Sequence, residues 1–182
     1  MSRVVILSGS PNISSRLNGM TDYVRQALAE AGMKTALIQV IDLPPEDLVY
    51  AKFNSPSILA ANELVAAADA VVIASPVYKA SYTGVLKSYI DLLPQKGFEH
   101  KLIAPVFIAG TMAHMLAVDY ALKPMLASMG ANHFTKTVYA TDDSITREQE
   151  QDGQYRFTIE ETIQTRLQGI VNEIVQYLSL KS

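Results

Sequence analysis

RVVILSGSPNISSR, residues 3–16, is the segment whose reading decides the fold. Arg3–Ser8 is a short run rich in Val and Ile, and Gly9-Ser10-Pro11 turns the chain at its end. Beyond the turn Leu17, Met20, Val24, Ala27, Leu28 and Ala31 recur three and four apart, one face of a helix, with Gly32 as its natural stop. Strand, polar turn and helix then alternate along the chain. Thr35–Ile41 is a second apolar run, bounded by Pro44-Pro45. Ser55-Pro56 gives an N-cap serine and a first-turn proline for an Ala-rich helix reaching Ala68. Ala70–Ser75 is a third strand, and Gly84–Leu93 is a helix stopped by Pro94. Leu102–Ala109 is a fourth strand, followed by a helix over His114–Met129 that ends at Gly130. His133–Ala140 is a fifth strand, and Ile159–Leu178 closes the chain as a helix.

Strands that are apolar almost throughout are buried on both faces, as in a parallel sheet covered by helices. Regular βα alternation therefore predicts a doubly wound α/β fold. Five strands suit the order 2-1-3-4-5 better than the six-stranded dinucleotide arrangement. Pro105 sits inside the fourth run, where proline would remove a ladder hydrogen bond, so the strand proper is expected to begin near it. Without linker or internal repeat, one domain over residues 1–182 is expected.

Composition narrows the function. Of 182 residues, 49% are hydrophobic and 18% charged, ordinary for a fold with a large core. The net charge is -3 and no Lys/Arg run exceeds two residues, which argues against nucleic acid or an anionic membrane as partner. The absence of cysteine removes disulfides, thiolate metal sites and a cysteine nucleophile. Met-Ser-Arg leads at once into an apolar strand rather than a signal peptide, and no stretch reaches the roughly 18 apolar residues of a membrane span. The cytoplasm is the expected location.

In an open parallel sheet, ligands bind beyond the carboxyl ends of the strands, where strand order reverses. The loop after the first strand carries Ser10, Asn12, Ser14, Ser15 and Arg16 at a helix N-terminus, donors that suit an anion. Neither G-x-G-x-x-G nor the Walker motif is present, so a monophosphate fits better than a pyrophosphate or triphosphate. An ordinary polar turn with an N-cap serine is the alternative. The loop after the third strand, Ser75-Pro76-Val77-Tyr78-Lys79-Ala80-Ser81-Tyr82, forms a stiff platform on which a flat ring can lie. Its backbone N–H groups can meet the polar edge of that ring, and its tyrosines can cover the ring or simply cap the sheet. The loop after the fourth strand offers Gly110 for close approach, Thr111 as a donor and His114 at the next helix start. His100, His114 and His133 lie in separate segments, and no metal site is indicated. The acidic stretch Thr141–Phe157 lacks calcium-loop spacing and is expected to be a solvated loop.

Gly9-Ser10-Pro11 with Ser15, and Ser75-Pro76-Val77-Tyr78 with Gly84-Val85-Leu86-Lys87, resemble the NADPH-dependent FMN reductase family of flavodoxin-like proteins. More narrowly, PEDLVYAKF (45–53), PVYKA (76–80) and HMLAVDYALKP (114–124) resemble the alkanesulfonate-associated FMN reductases. The resemblance implies a flavin reductase of a two-component system. It would take hydride from NADPH or NADH, reduce FMN, and pass it to a monooxygenase that cleaves organosulfonates. Ser10, Ser15 and Arg16 would hold the FMN phosphate. Pro76, Val77, Tyr78, Lys79 and Ala80 would line the isoalloxazine, with Gly110 and Thr111 at its other edge. The broader family often has arginine where this chain has Asn12, and Arg16 is the residue available to supply that charge.

Hydride transfer between stacked rings needs position more than acid–base chemistry, which agrees with the absence of a dyad or triad. No catalytic side chain is named. A flavodoxin-like electron carrier and a quinone or azo-dye reductase with bound FMN remain as alternatives. The 115–129 segment is apolar on two sides, with Met115, Val118, Leu122, Leu126 and Met129 opposite Leu116, Tyr120, Pro124 and Ala127. One stripe can face the sheet and the other a second copy, so a homodimer or homotetramer is expected. Pro124 should distort the helix near Tyr120, where the resembling family has a π-type irregularity.

Overall fold

A computed structural model describes residues 3–181. Its central sheet is parallel, and its strands, counted along the chain, lie in the order 2-1-3-4-5. The inner strands are β1 (Arg3–Ser8), β3 (Ala70–Pro76) and β4 (Leu102–Ala109), and β2 (Lys34–Gln39) forms one edge. All residues of β3 and β4 are buried, the reason they read as unbroken apolar runs. On one face α1 (Leu17–Glu30) and α6 (Glu161–Ser179) bury Leu17, Met20, Val24, Leu167, Ile170 and Ile174. On the other, α3 (Pro56–Ala66), α4 (Gly84–Ile90) and α5 (Lys123–Ser128) supply Ile58, Val65, Leu86, Tyr89 and Leu126. The doubly wound, flavodoxin-like arrangement is the expected one.

Pro105 lies in the middle of β4 rather than at its start. The fifth sheet position explains how. It is split into β5 (His133–Phe134) and β6 (Val138–Thr141), both paired with β4. The Ile103 carbonyl accepts from Thr135 N–H, so odd positions of β4 face this strand, and Pro105 faces the gap between β5 and β6. The donor that proline lacks falls where the ladder is already interrupted.

Residues 141–157, expected as a solvated loop, instead contain an antiparallel hairpin, β7 (Ile145–Gln149) and β8 (Tyr155–Ile159). Ile145 and Ile159 pair with each other and are buried, and Phe157 lies on α1 at Gly19. A Cβ on Gly19 would come within 2.6 Å of the Phe157 Cβ. The hairpin turns few side chains inward, and the charged residues between them imitate a loop.

The expected helix over His114–Met129 is also broken up. A 3-10 turn (Met112–His114) precedes a π-helical turn (Val118–Leu122) that contains Tyr120, followed by α5 with Pro124 in its first turn. The widened turn absorbs the hydrogen bond that Pro124 cannot donate. Val118, Leu122 and Leu126 are buried as expected, but Met115, assigned to the same stripe, is exposed because the change of pitch shifts its angular phase.

Pro44-Pro45 does more than bound a strand. Pro45 opens a short helix, α2 (Pro45–Val49), with Glu46 and Asp47 in its first turn, where the helix dipole favours them. Asp47 turns inward. Its carboxylate accepts the Ser55 hydroxyl at 2.5 Å and pairs with Lys52 at 3.0 Å. Ser55, the residue before α3, therefore spends its hydroxyl across the loop instead of capping its own helix. These contacts, the Ser55 bond first and Lys52 second, hold the Asp47 carboxyl below its ordinary value. A depressed acid stabilises the folded state above its unfolded pKa, and that stabilisation is lost as pH falls through the folded value. The stability difference between wild type and Asp47→Asn should be constant near neutral pH and shrink below the ordinary aspartate range, as read by urea unfolding across pH.

Candidate functional site

Three strand-to-helix loops meet at the carboxyl edge of the sheet, after β1, β3 and β4. Buried hydrogen bonds tie the first to the second. Thr83, the N-cap of α4, accepts from Leu86 N–H at 3.1 Å and donates its hydroxyl to the Gly9 carbonyl at 2.6 Å. Its own N–H donates to the Ser75 hydroxyl at 3.0 Å, which in turn donates to the Pro76 carbonyl. Gly9 N–H donates to the Ala74 carbonyl at 2.9 Å. Thr83 and Ser75 are 1% and 0% exposed, so this clamp is sealed from water. It requires glycine at position 9, where a Cβ would lie 2.4 Å from the Leu86 Cβ.

Within the first loop, Ser10 is buried and its hydroxyl donates to the Asn12 carbonyl while accepting from Asn12 N–H at 3.3 Å. Ser10 thus shapes the bend. Asn12 Oδ1 accepts from both the N–H and the hydroxyl of Ser14, and Ser15 accepts from Leu17 N–H. The N–H groups of Ile13 and Arg16, the Asn12 amide nitrogen, the Ser15 hydroxyl hydrogen and both Arg16 Nη groups keep no protein acceptor among the described residues. Arg16 is anchored through Nε, which donates to the Ile145 carbonyl at 2.8 Å. A cluster of uncommitted donors beside a helix N-terminus fits a phosphate monoester.

The second loop begins with buried Pro76 and half-buried Val77, whose N–H donates to the Ile108 carbonyl at 2.8 Å. Tyr78 and Ser81 then exchange two backbone hydrogen bonds, closing a two-residue turn over Lys79 and Ala80. Both central residues are left-handed, with φ of 51° and 59°. Such a turn favours Asn-Gly, and L residues there carry roughly 1–2 kcal/mol of strain each. Tyr78, Lys79 and Ala80 are all exposed. Ala80→Gly should relieve part of this strain and raise the thermal midpoint by about 2–4 °C, measurable by circular dichroism.

In the third loop Gly110, Thr111 and His114 are exposed beyond β4, and the Thr111 side chain accepts from Ala113 N–H. Tyr139, on β6, donates its hydroxyl to the Thr111 carbonyl at 2.8 Å. Burial, and secondarily the Asp142 charge, raises the Tyr139 phenol, which keeps its proton on this bond. All the site residues expected from sequence therefore lie in loops at one edge. Thr83 and Tyr139, which brace these loops, are not among the residues expected from sequence. Thr83 alone gave a signal, as a threonine three residues before Leu86 at a helix start.

Comparison with known proteins identifies the family. The family model described as NADPH-dependent FMN reductase matches residues 2–144. The chain belongs to that family. An FMN reductase (NADPH) of Pseudomonas putida is 42% identical over 142 residues, covering 78% of this chain and 72% of its own length. Another, from Escherichia coli, is 37% identical over 176 residues, covering 97% and 90%. Among solved structures, the apo form of the NADH:FMN oxidoreductase EMOB superposes with a TM-score of 0.84 at 29% identity, over 97% of this chain and 90% of that one. The protein is an NAD(P)H-dependent FMN reductase, with FMN and NAD(P)H as its ligands. No helix among the reductase's described residues is long and apolar enough to cross a membrane.

Proposed function

We propose that the reductase binds FMN across its three clamped loops, reduces it, and releases it to a separate monooxygenase, with organosulfonates as the oxidised substrates. The observation that carries the binding mode is the group of uncommitted donors in the first loop, held against the Pro76–Ala80 platform by the Thr83 clamp. Ile13 and Arg16 N–H, Ser15, Asn12 and the Arg16 Nη groups hold the phosphate, and Ser10 fixes the bend that presents them. Backbone groups of Val77, Tyr78, Lys79 and Ala80 align the ring, while Gly110, Thr111 and His114 border its far side. An apolar recess of about 410 Å³, lined by Pro11, Leu43, Leu48 and Val85 among others, adjoins the first loop and can take the hydrocarbon edge of the ring.

FMN supplies the electronic chemistry by accepting hydride from a stacked nicotinamide. The protein's part is orientation and a ring of fixed dipoles, without a proton relay. Exposure of Tyr78, Lys79, Ala80 and residues 110–116 supports a flavin that enters and leaves as a substrate. The distinguishing experiment is steady-state NAD(P)H oxidation with FMN varied, alongside the absorbance spectrum of the purified protein. Colourless protein whose rate depends on free FMN supports release. A yellow protein that turns over quinone without added FMN rejects it.

Assembly into a homodimer or homotetramer through the 115–129 segment is part of the same proposal. Leu116 and Tyr120 are 54% and 79% exposed, on the side opposite buried Val118 and Leu122. A monomeric mass at micromolar concentration would reject it.

A further inference from the structure

The β7–β8 hairpin begins at Ile145, immediately beyond the segment matched by the family model, and it makes a reciprocal contact with the first loop. Arg16, in the loop, donates Nε to the Ile145 carbonyl at 2.8 Å. Arg147, on the hairpin, donates Nη1 to the Ser14 carbonyl at 2.5 Å and reaches the Ser14 hydroxyl at 3.2 Å. Each guanidinium thus holds a backbone carbonyl of the other's segment. The hairpin is itself fixed. Ile145 and Ile159 are in the core, Phe157 fills the space left by Gly19, and the Arg147 guanidinium lies 5.4 Å from the Tyr155 ring centre.

We propose that Arg147 is a positioning residue for the FMN phosphate. It clamps Ser14 from outside the loop so that the flanking Ile13 and Arg16 N–H groups and the Arg16 Nη groups converge on one anion. The inference rests on the assignment of the phosphate to the first loop. Ser14 stands between Ile13 and Ser15, and its N–H and hydroxyl are already bonded to Asn12. Arg147 therefore closes the one side of Ser14 that the loop leaves open, its carbonyl. A bond from a charged donor to a carbonyl is strong enough that its loss should register as about a tenfold weaker hold on the anion.

Riboflavin lacks the phosphate and isolates the effect. Dissociation constants for FMN and riboflavin, measured by quenching of flavin fluorescence, are compared among wild type, Arg147→Met, Arg147→Lys and Arg16→Met, with KM and kcat for FMN alongside. Arg147→Met should raise the FMN dissociation constant and KM about tenfold, with riboflavin binding and kcat at saturating FMN unchanged. Arg147→Lys keeps one donor on the Ser14 carbonyl and should recover part of the loss. Arg16→Met should abolish the preference for FMN over riboflavin. If Arg16→Met leaves that preference intact, the first loop is not the phosphate site and the assignment beneath the proposal fails. If Arg16→Met abolishes it while Arg147→Met leaves FMN affinity unchanged, or weakens both flavins equally, the assignment stands and the role of Arg147 is rejected.

Discussion

Gly9→Ala is expected to destabilise the reductase by about 3 kcal/mol and to weaken FMN binding by roughly tenfold or more. The new methyl would lie 2.4 Å from the Leu86 Cβ, 3.0 Å from Thr83 Oγ1 and 3.1 Å from the Leu86 Cα. Two of these atoms belong to the backbone or its first carbon, so rotation of a flexible side chain cannot make room. The first loop and α4 must separate, which lengthens the Thr83–Gly9 hydrogen bond. Overpacking of this kind costs about 1–3 kcal/mol, and disturbing the buried bond adds to it. For a chain of this size the thermal midpoint should fall by about 6–12 °C. Thermal unfolding and an FMN titration check the two effects. A variant with unchanged midpoint and affinity would mean that the loops are not packed as described.

Thr83→Val carries the second large effect, about 2–4 kcal/mol, by removing one oxygen with little change of shape. That oxygen caps α4 through Leu86 N–H and donates to the Gly9 carbonyl inside a sealed pocket. Loss of a cap costs about 1 kcal/mol, and a buried carbonyl left without a donor about 1–3 kcal/mol. Thr83→Ser retains both bonds and should recover most of the loss. Because Gly9→Ala already strains the same bond, the double variant should cost less than the sum of the singles, a coupling that urea unfolding of the four proteins would measure.

Much of the sheet was legible because burial on both faces leaves a compositional mark. Val4 to Leu7, Val71 to Ala74 and Val106 to Ala109 admit hardly any polar side chain. Elements that bury only one or two side chains left no such mark. β7 and β8 place Ile145 and Ile159 in the core but expose Arg147, Glu148, Thr158 and Arg156, so their alternation is drowned by charge. α2 is shorter than two helical turns, below the length at which periodicity can register. The site was legible at the level of loops. The residues that fix its shape were not, because Thr83, Tyr139 and Arg147 act on backbone atoms of partners far away in sequence. Nothing in local spacing announces a threonine that serves a carbonyl 74 residues earlier.

The interrupted fifth position also bears on how molecules of this protein avoid sticking to one another. An outermost strand with a long row of free amides invites a stranger's strand to zip onto it. Here the edge opposite β2 consists of stubs of two and four residues with an interruption between them, a template too broken to extend. A proline one strand further in thereby stands beside the one edge, opposite β2, that is too short and broken to seed aggregates.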